Sequence, residues 1–477
     1  MKRIIILNLT LACVCLAGCQ EMVNWLTPQL NENPIQAQAK FAKTGSEILP
    51  DKFWLAFKDE NLNKLVEQAL TDNFSIKQAY DRLKQARAVY TSSRSELYPQ
   101  LNGTAAAGRT YTGTQSDASE FSLGLRVSYE VDLWGRVRSG AEASELELQA
   151  TEQDLQAAAI SLVSSISQTW AQLIASNAEV KILTEQIELN KKYVTAIEKR
   201  YLNGQVLLAD LLSQRQLVKS KEALKILALA ENKILRQQLA VLLGKTPDKI
   251  DFPVIDKQAK IGKLPNTGLP AELVQKRPDV RAAFLRLQSA NKSVSQAVAE
   301  RFPQFTLSAE GRTTSQQLRD LFDNWLANIA ANMVAPILDG QRREAEVQRT
   351  HEVAKQNLHS YSSTILTALS EVEKAIEQDA RQKEYIEKLE SQIELSKRVI
   401  KRTTMQYSLG GLDYLRVLEA LQSHQTLQLK LIQAKREQFV YRINLYSALA
   451  GGWDYNPEKL PDDNSASLTQ NTNSQEK

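Results

Sequence analysis

Two long stretches of the chain carry apolar residues at alternating three- and four-residue steps. No proline interrupts the first stretch between Gly135 and Pro247, or the second between Pro336 and Pro457. This spacing predicts long helices that pack side by side along heptad-like seams. A helix from about residue 140 to about residue 200 would be roughly 90 Å long, because each residue adds about 1.5 Å. The predicted seam residues are Ala159, Leu162, Ile166, Trp170, Leu173, Val180, Leu183, Ile187, Val194, Ile197 and Tyr201 in the first stretch, and Leu358, Ile365, Leu369, Val372 and Ile376 in the second.

Just before each helical stretch, apolar and polar residues alternate with a period of two. Every second residue of 121–133 is apolar, and residues 325–337 repeat the pattern more weakly. Shorter partner strands are predicted to start at Pro99 and Pro303. Strands of this length can cross a bilayer, which takes about 9–11 residues. Alternation alone fits the half-buried sheet of a water-soluble domain equally well.

If these strands cross a membrane, the chain must assemble with copies of itself. A bilayer admits only closed barrels, since an open sheet edge leaves backbone groups unpaired. The four predicted strands are too few, because such barrels start at about eight strands. Three copies would supply about twelve strands, enough to surround an aqueous lumen. A membrane-spanning form of this chain would therefore be an α+β protein with a trimeric β-barrel of about twelve strands, four from each chain.

The same plan of a short helix, two strands and two very long helices occurs twice. The chain is therefore predicted to contain a first repeat at 61–250, a linker at 251–270 and a second repeat at 271–453, followed by a polar, disordered tail at 454–477. Chance similarity between helical stretches is the alternative. The matching anchors are 98–100 and 302–304 (302 − 98 = 204), Gly135 and Gly340 (340 − 135 = 205), and 201–204 and 407–410 (407 − 201 = 206).

The amino terminus resembles that of an exported lipoprotein. A positive start and a mostly apolar run, too short to span a bilayer, predict a signal peptide at residues 1–18. The run ends in Leu-Ala-Gly-Cys, which looks like the lipobox of bacterial lipoproteins and makes Cys19 the lipidated first residue of a lipid-anchored segment at 19–60. Gln20 follows where inner-membrane lipoproteins commonly have aspartate, which favours the outer membrane. An ordinary cleavage site with a chance cysteine is the alternative.

Composition argues against catalysis and against nucleic-acid binding. A net charge of +4 on 477 residues is close to neutral, whereas a nucleic-acid partner needs basic residues gathered on one face. The other two cysteines lie in the predicted signal, so Cys19 can form neither an internal disulfide nor a cysteine-based metal site. The histidines, His351, His359 and His424, lie in the predicted long helices without catalytic or metal-ligand spacing. We predict no catalytic residue, no metal site and no cofactor apart from the covalent lipid.

Five short motifs follow one another along the chain. They are Tyr-Pro-Gln at 98–100, Val-Asp-Leu-Trp-Gly-Arg at 131–136, Arg-Pro-Asp-Val-Arg at 277–281, Arg-Phe-Pro-Gln at 301–304 and Tyr-Ser-Leu-Gly at 407–410. In this order and spacing they resemble the TolC-like outer-membrane efflux channels, specifically the lipoprotein (OprM/NodT-type) branch. The resemblance covers the chain from about residue 45 to about residue 453.

This resemblance implies an architecture and a function. The implied architecture is a homotrimer, whose twelve-stranded barrel in the cell outer membrane of a Gram-negative bacterium continues into a long periplasmic α-helical barrel. The implied function is the exit duct of a tripartite efflux system, closed by an iris-like periplasmic gate. A periplasmic adaptor (membrane fusion) protein and an inner-membrane pump are the implied partners. The pump would supply the energy, because the chain has no phosphate-binding loop of the Gly-x-x-x-x-Gly-Lys type.

The resemblance also implies roles for individual residues. Aligned on Tyr407 and Gly410, the family's periplasmic constriction falls on Leu415 and Glu419, which lie four residues apart and so on one helix face. In a trimer they would form an apolar ring, which can gate by dewetting, and a ring of three carboxylates, which attracts cations. Gln422 stands where the family often has an arginine, so a closing salt bridge is not implied. Seam packing of Leu415 and plain solvent exposure of Glu419 are the alternatives.

The two predicted helix turns resemble the surface on which the family receives the adaptor hairpin. The residues concerned are Asn203, Gly204 and Gln205 in the first repeat and Leu409, Gly410 and Gly411 in the second. Glycine permits close approach of another backbone. The alternative is that these glycines only close the turns.

Two other roles and the cargo stay open at this point. A closed lipoprotein rod that serves as a scaffold or adhesin would not need the apolar strand face at 121–133. A channel of the same fold could instead secrete proteins, although lipidation argues mildly against it. With four methionines including the first residue, a methionine-lined copper path has no support, while export of metals by the assembly is not excluded.

Overall fold

The computed structural model describes residues 41, 45–46, 50–111, 118–247, 261–450 and 453–456. The predicted signal peptide 1–18, Cys19, linker residues 251–260 and tail residues 457–477 lie outside this set. A 3₁₀ turn at Phe53–Phe57 precedes the first helix, and another at Leu318–Asp320 lies between the last two strands. In chain order the elements are α1 Glu60–Asp72, α2 Phe74–Ser95, β1 Gln100–Thr110, β2 Ala118–Val131, α3 Arg136–Leu202, α4 Leu208–Leu242, α5 Pro270–Lys276, α6 Pro278–Ala299, β3 Gln304–Ser315, β4 Trp325–Val334, α7 Arg342–Ser408 and α8 Tyr414–Leu449.

The element order repeats once along the chain, which confirms the internal duplication. Helices α3 and α7 are both 67 residues long, and α7 begins 206 residues after α3 (342 − 136 = 206). The return helices α4 and α8 begin at the same offset (414 − 208 = 206). The proline-free stretches therefore fold as two pairs of long helices, as the apolar spacing predicts.

The described residues form two compact units. A strand unit holds residues 81–154 and 279–365, and a helical unit holds the described residues of 37–80, 155–278 and 366–477. In the part of the chain that the structure describes, no helix combines the length and apolar character needed to cross a membrane.

In the strand unit, the four strands form one antiparallel sheet in the order β1-β2-β3-β4. The central pairing joins the two repeats, with β2 and β3 in register from Phe121 opposite Ser315 to Val131 opposite Phe305. One edge of β1 and one edge of β4 face no other strand among the described residues. The sheet is therefore open within a single chain.

The two faces of this sheet differ sharply in polarity. One row across all four strands is Leu101, Val127, Ala309 and Ile329, and the next row, on the other face, is Asn102, Arg126, Glu310 and Asn328. The apolar row is uncovered at its outer strands, where Leu101 is 65% and Ile329 is 87% exposed. Exposed apolar area of this kind marks a surface that meets an apolar partner.

β2 and β4, the strands predicted from the alternation, both end earlier than predicted, and β4, with 10 residues, is shorter than its partner β3, with 12, contrary to the prediction. β2 ends at Val131 and not at Leu133, because the Leu133 N–H turns back to donate to the Val131 carbonyl (2.8 Å). β4 ends at Val334 and not at Ile337, because Pro336 in between has no N–H for a strand ladder. The side-chain pattern continues past the point at which backbone pairing stops.

A motif of the first repeat meets one of the second where the strands give way to helices. The Trp134 ring stacks on Phe302 with centroids 4.7 Å apart, and its Nε1 donates to the Pro303 carbonyl (2.7 Å). Gly135 and Gly340, which precede α3 and α7, have φ of 74° and 63°. Only glycine adopts this left-handed backbone at little cost, so these turns explain both glycines.

The helical unit buries the predicted seams. Ile166, Leu183 and Val372 are fully buried, and most other predicted seam positions are buried or half-buried. The prediction is wrong at Tyr201, which is 37% exposed because the seam ends one turn before the end of α3.

Candidate functional site

Both pairs of long helices turn with the same hydrogen-bond pattern, first seen between α3 and α4. Gly204 lies at φ 70°, its N–H donates to the Tyr201 carbonyl (2.8 Å), and the Gln205 N–H donates to the Arg200 carbonyl (2.9 Å). These two bonds define a Schellman motif, which satisfies the last carbonyls of a helix and needs a left-handed residue.

The turn between α7 and α8 repeats this geometry. Gly410 lies at φ 78°, its N–H donates to the Tyr407 carbonyl (3.1 Å), and the Gly411 N–H donates to the Gln406 carbonyl (2.9 Å). Gly204 and Gly410 are therefore required by backbone conformation, and Gly411 is not in the left-handed region.

The surfaces of the two turns are uncovered in the described chain. A Cβ added at Gly204 or Gly410 would meet no atom within 4 Å. The exposed tip residues are Asn203, Gly204, Gln205, Leu409, Gly410 and Gly411. Three leucines add an apolar surface there, with Leu202 at 77%, Leu207 at 72% and Leu409 at 75% exposure. The turns thus present a mixed apolar and polar surface.

The first turns of α8 have one buried face and one exposed face. The residues of α8 buried in a cluster with Ile197, Leu211 and Leu217 are Tyr414, Val417, Leu418 and Leu421. Leu415 is 52% exposed, and Glu419 is also exposed. The predicted gate residues thus lie outside the buried seam of this chain and share its open face.

An ion pair that the sequence reasoning missed joins Arg416 to Glu419. Arg416 Nη1 lies 3.1 Å from Glu419 Oε2, and the two side chains are 68% and 52% exposed. Arginine three residues before glutamate on a helix is the signal that was available. Such exposed pairs contribute only about 0–1 kcal/mol to stability, but this one puts a positive charge beside the predicted carboxylate ring.

A layer of buried amides, also missed, lies behind the apolar cluster. The amide layer consists of Gln186 and Asn190 of α3, Gln214 of α4 and Gln425 of α8, each at most 3% exposed. Gln214 Nε2 donates to the Asn190 carbonyl (3.1 Å), Gln425 Nε2 to Asn190 Oδ1 (3.2 Å), and Gln186 Nε2 to the Gln425 carbonyl (3.1 Å). Buried amides at a helical seam fix its register, because an apolar alternative leaves them unpaired.

Tyr414 connects the amide layer to the apolar cluster. Its hydroxyl donates to Gln214 Oε1 (2.8 Å). Burial raises the pKa of Tyr414 far above its ordinary value, so the hydroxyl stays protonated. The gate end of α8 is therefore held to α3 and α4 by apolar packing and by neutral hydrogen bonds.

Of the three histidines, His424 lies in α8 near its gate end and contacts α7. Its Nδ1 lies 2.7 Å from Ser396 Oγ, which itself donates to the Ile393 carbonyl (2.7 Å). The serine hydroxyl thus lies within hydrogen-bond distance of both the Ile393 carbonyl and the imidazole. Burial, followed by the charge of Lys397, lowers the pKa of His424. This pair acts as a structural hydrogen bond between α7 and α8.

The described residues contain no candidate metal site, and the predicted lipidation site is not among them. Within the ranges given above, no three or more histidine, cysteine, aspartate or glutamate side chains are grouped so as to hold a metal ion. Cys19, the predicted lipidation site, lies outside those ranges, so its acylation stays a prediction.

Comparison with known families gives a match over both repeats. The sequence matches the family described as "Outer membrane efflux protein" over residues 65–245 and again over residues 269–451. The first segment begins inside α1 and contains α2 to α4 and both strands of the first repeat, and the second contains α5 to α8 and both strands of the second.

Individual relatives span nearly the whole chain. The pyoverdine export outer membrane protein OpmQ of Pseudomonas aeruginosa is 28% identical over 475 residues, which cover 95% of this chain and 98% of OpmQ. The cation efflux system protein CusC of Escherichia coli K12 is 26% identical and covers 92% and 98%. The solved open state of the MtrE outer membrane channel of Neisseria gonorrhoeae has a TM-score of 0.82 at 25% identity and covers 90% and 99%. These matches confirm the resemblance and the fold class predicted from the sequence.

Proposed function

We propose that this chain, which belongs to the outer membrane efflux protein family, is the exit duct of a tripartite efflux system. Its relatives are outer-membrane transport proteins, and its location is accordingly the cell outer membrane. In the proposal it passively conducts small molecules delivered by an inner-membrane pump through a periplasmic adaptor protein. The observation that carries the proposal is the family match, because it covers every strand of the sheet and both pairs of long helices.

The open sheet supports assembly as a homotrimer. A bilayer does not tolerate unpaired strand edges, and β1 and β4 each leave one edge unpaired in the described chain. Pairing β1 of one copy with β4 of the next closes the sheet, and three copies give about twelve strands. The exposed apolar row through Leu101 and Ile329 then faces lipid.

The two-faced start of α8 supports a gate at Leu415 and Glu419. Both side chains are exposed outside the apolar cluster that holds α8 to α3 and α4, so they are available to line a passage. Three copies of Leu415 form an apolar constriction in the proposed closed state. Opening moves the pair α7–α8 relative to the pair α3–α4 between two discrete arrangements.

The two exposed turns supply the proposed adaptor surface. Asn203, Gly204 and Gln205 in one repeat and Leu409, Gly410 and Gly411 in the other leave their backbones uncovered. A partner hairpin that packs on both turns would bias the gate, because α4 and α8 start directly after these turns and α8 carries the proposed gate residues. Closing the turns and receiving the adaptor are compatible roles for these glycines.

The names of the relatives do not indicate which cargo this chain conducts. OpmQ is named for pyoverdine export and CusC for cation efflux, yet the two are 28% and 26% identical to this chain. A wide duct makes few specific contacts, and we propose that the pump chooses the cargo. The duct therefore serves small molecules as a class.

Single-channel conductance in planar bilayers tests the duct and its gate together. The wild-type protein is compared with the Leu415→Ser/Glu419→Ser double variant. We expect a small wild-type conductance that rises clearly in the variant, because the apolar constriction and its carboxylate ring are both removed.

A matched double variant controls for loss of similar residues elsewhere. Leu395→Ser/Glu387→Ser removes an exposed leucine and an exposed glutamate from α7 and should leave the conductance unchanged. Equal, large conductance in all three proteins would keep the duct and dismiss this gate. No conductance from any of them would reject the duct in favour of a closed rod.

Acyl labelling tests the proposed lipid anchor at Cys19. Cells grown with labelled palmitate should label the wild-type protein and not the Cys19→Ser variant. The trimer should persist in that variant, because the proposed barrel itself holds the protein in the membrane. Unchanged labelling of Cys19→Ser would remove the lipid anchor from the proposal.

A further inference from the structure

The open face of α8 is centred on two opposite charges. Successive residues of a helix are rotated by roughly 100°, so Arg416 and Glu419 lie about 60° apart around the axis. The buried residues Tyr414, Val417 and Leu418 occupy the opposite side. Arg416 lies about 100° from Leu415, on the far side of Glu419, and its guanidinium contacts the Glu419 carboxylate, so a passage lined by Glu419 has the charge of Arg416 beside it.

The contact between these two side chains is direct but weak. Arg416 Nη1 lies 3.1 Å from Glu419 Oε2, and both side chains are more than half exposed. An exposed pair of this kind contributes little to stability, so stability gives little reason for the arginine at this position. Its charge has a larger consequence, because it alters the field at a constriction that ions must pass.

We propose that Arg416 determines ion selectivity by cancelling the charge of Glu419 at the gate. The inference rests on the proposed function above and refines it. In a trimer the level of Glu419 then carries three arginines beside three glutamates and has no net charge. The duct discriminates weakly between cations and anions there, unlike one with a ring of carboxylates alone. Gln422, one helical turn further on, adds no charge to this level.

Reversal potentials across a salt gradient measure this selectivity directly. Purified wild-type protein and the variants Arg416→Gln, Glu419→Gln and Arg416→Gln/Glu419→Gln are compared between about 10 and 100 mM KCl, where screening lengths are roughly 30 to 10 Å. All four are also measured with Leu415→Ser added, which widens the constriction and keeps its charges.

The four proteins should differ in a fixed pattern. We expect weak selectivity for the wild type, a several-fold increase in the K⁺-to-Cl⁻ permeability ratio for Arg416→Gln, and a several-fold decrease for Glu419→Gln. The double variant should return to the wild-type ratio, because its ring again has no net charge. Arg398→Gln, an exposed arginine of α7, serves as the matched control and should not move the ratio.

Two results would overturn the inference, and they are distinguishable from failure of the duct. A conducting Arg416→Gln protein with the wild-type ratio would show that Arg416 does not act on permeating ions. Strong cation selectivity of the wild type, abolished by Glu419→Gln alone, would show that the carboxylates are not compensated. Absence of conductance in every protein, including those with Leu415→Ser, would reject the proposed duct and this inference with it.

Discussion

Two arginines of α8 that pair with carboxylates show how burial changes the role of the same chemistry. Near the turn, Arg416 and Glu419 form a single contact of 3.1 Å with side chains 68% and 52% exposed. Near the other end of α8, Arg442 pairs with Asp379 of α7 in two contacts of 3.0 and 2.8 Å, with side chains 5% and 6% exposed. The buried pair holds segments together, whereas the exposed pair remains available to solvent and ions.

The buried pair ties three parts of the helical unit together. Besides its two bonds to Asp379, Arg442 donates through Nη1 to the carbonyls of Gly262 (2.9 Å) and Lys263 (2.8 Å). Burial opposes the charged form, but the hydrogen bond and charge of Asp379 outweigh it and raise the pKa of Arg442. Its two bonds to Asp379 satisfy a carboxylate that would otherwise be costly to bury. The pair therefore fixes the segment before α5 onto α7 and α8.

Removing one partner of each pair should separate the two roles most strongly. Asp379→Ala should cost about 3–5 kcal/mol of unfolding free energy, because it leaves a buried guanidinium unpaired. Glu419→Ala should change it by about 1 kcal/mol or less. Unfolding in detergent, followed by the loss of helical circular dichroism, measures both. Equal effects would show that burial does not distinguish the pairs.

The amide layer lies between these extremes, since it is buried but uncharged. Gln425→Leu should cost about 1–3 kcal/mol, because it leaves the buried Asn190 side-chain N–H without its acceptor. Replacing Asn190 and Gln425 by leucine together should cost much less, since Gln214 and Gln186 keep their bonds to the backbone carbonyls of these two positions. The same unfolding assay applies, and Gln216→Leu, an exposed amide of α4, is the matched control. A double variant less stable than the single one would contradict this account.

The adjacent glycines of the second turn, Gly410 and Gly411, should differ less, by about 1–2 kcal/mol of unfolding free energy. Gly410→Ala should cost about 1–2 kcal/mol, because φ 78° is left-handed and strained for alanine. Gly411→Ala should be neutral or slightly stabilising, because its backbone suits alanine and an added Cβ would lie 3.5 Å from the Gln406 carbonyl, an ordinary contact. Thermal unfolding of the two variants compares them side by side. A larger loss from Gly411→Ala would place the strain elsewhere.

Periodicity predicted the elements well, because long helices and alternating strands repeat their signal many times. The seam through Ile166, Leu183 and Val372 is an example. The strand ends were missed at Leu133 and Ile337, because the side-chain pattern continues where backbone pairing stops.

The polar parts of the site were harder to predict for a different physical reason. Asn190, Gln214 and Gln425 are distant in sequence, and a polar residue at a seam position looks like an interruption of the seam. Only the packing of three helices shows that these amides satisfy one another. The spacing of Arg416 and Glu419 predicts their ion pair, but the sequence does not show that both side chains lie on the exposed face of α8.

The smallest expected effect concerns His424, whose bond to Ser396 joins α7 and α8 beside the amide layer. Ser396 lies 206 residues after Asn190 (396 − 190 = 206), so the second repeat has a titratable contact where the first has amides. Because burial lowers the pKa of His424 in the folded protein, the unfolded chain binds the proton more readily. Stability from this group is fully present above pH of about 6.5 and is lost as pH falls below it towards the folded pKa.

His424→Gln isolates this contribution, since glutamine keeps a donor and does not titrate. The unfolding free energy of the wild type should fall slightly more than that of the variant between about pH 7.5 and pH 5.5. The difference should be small, because the imidazole is only partly buried and solvent screens its charge. Chemical unfolding in detergent at both pH values measures it, with all other titrating groups common to the two proteins. Parallel curves would mean that protonated and neutral imidazole fit this contact equally well, leaving the helix pair insensitive to pH at this point.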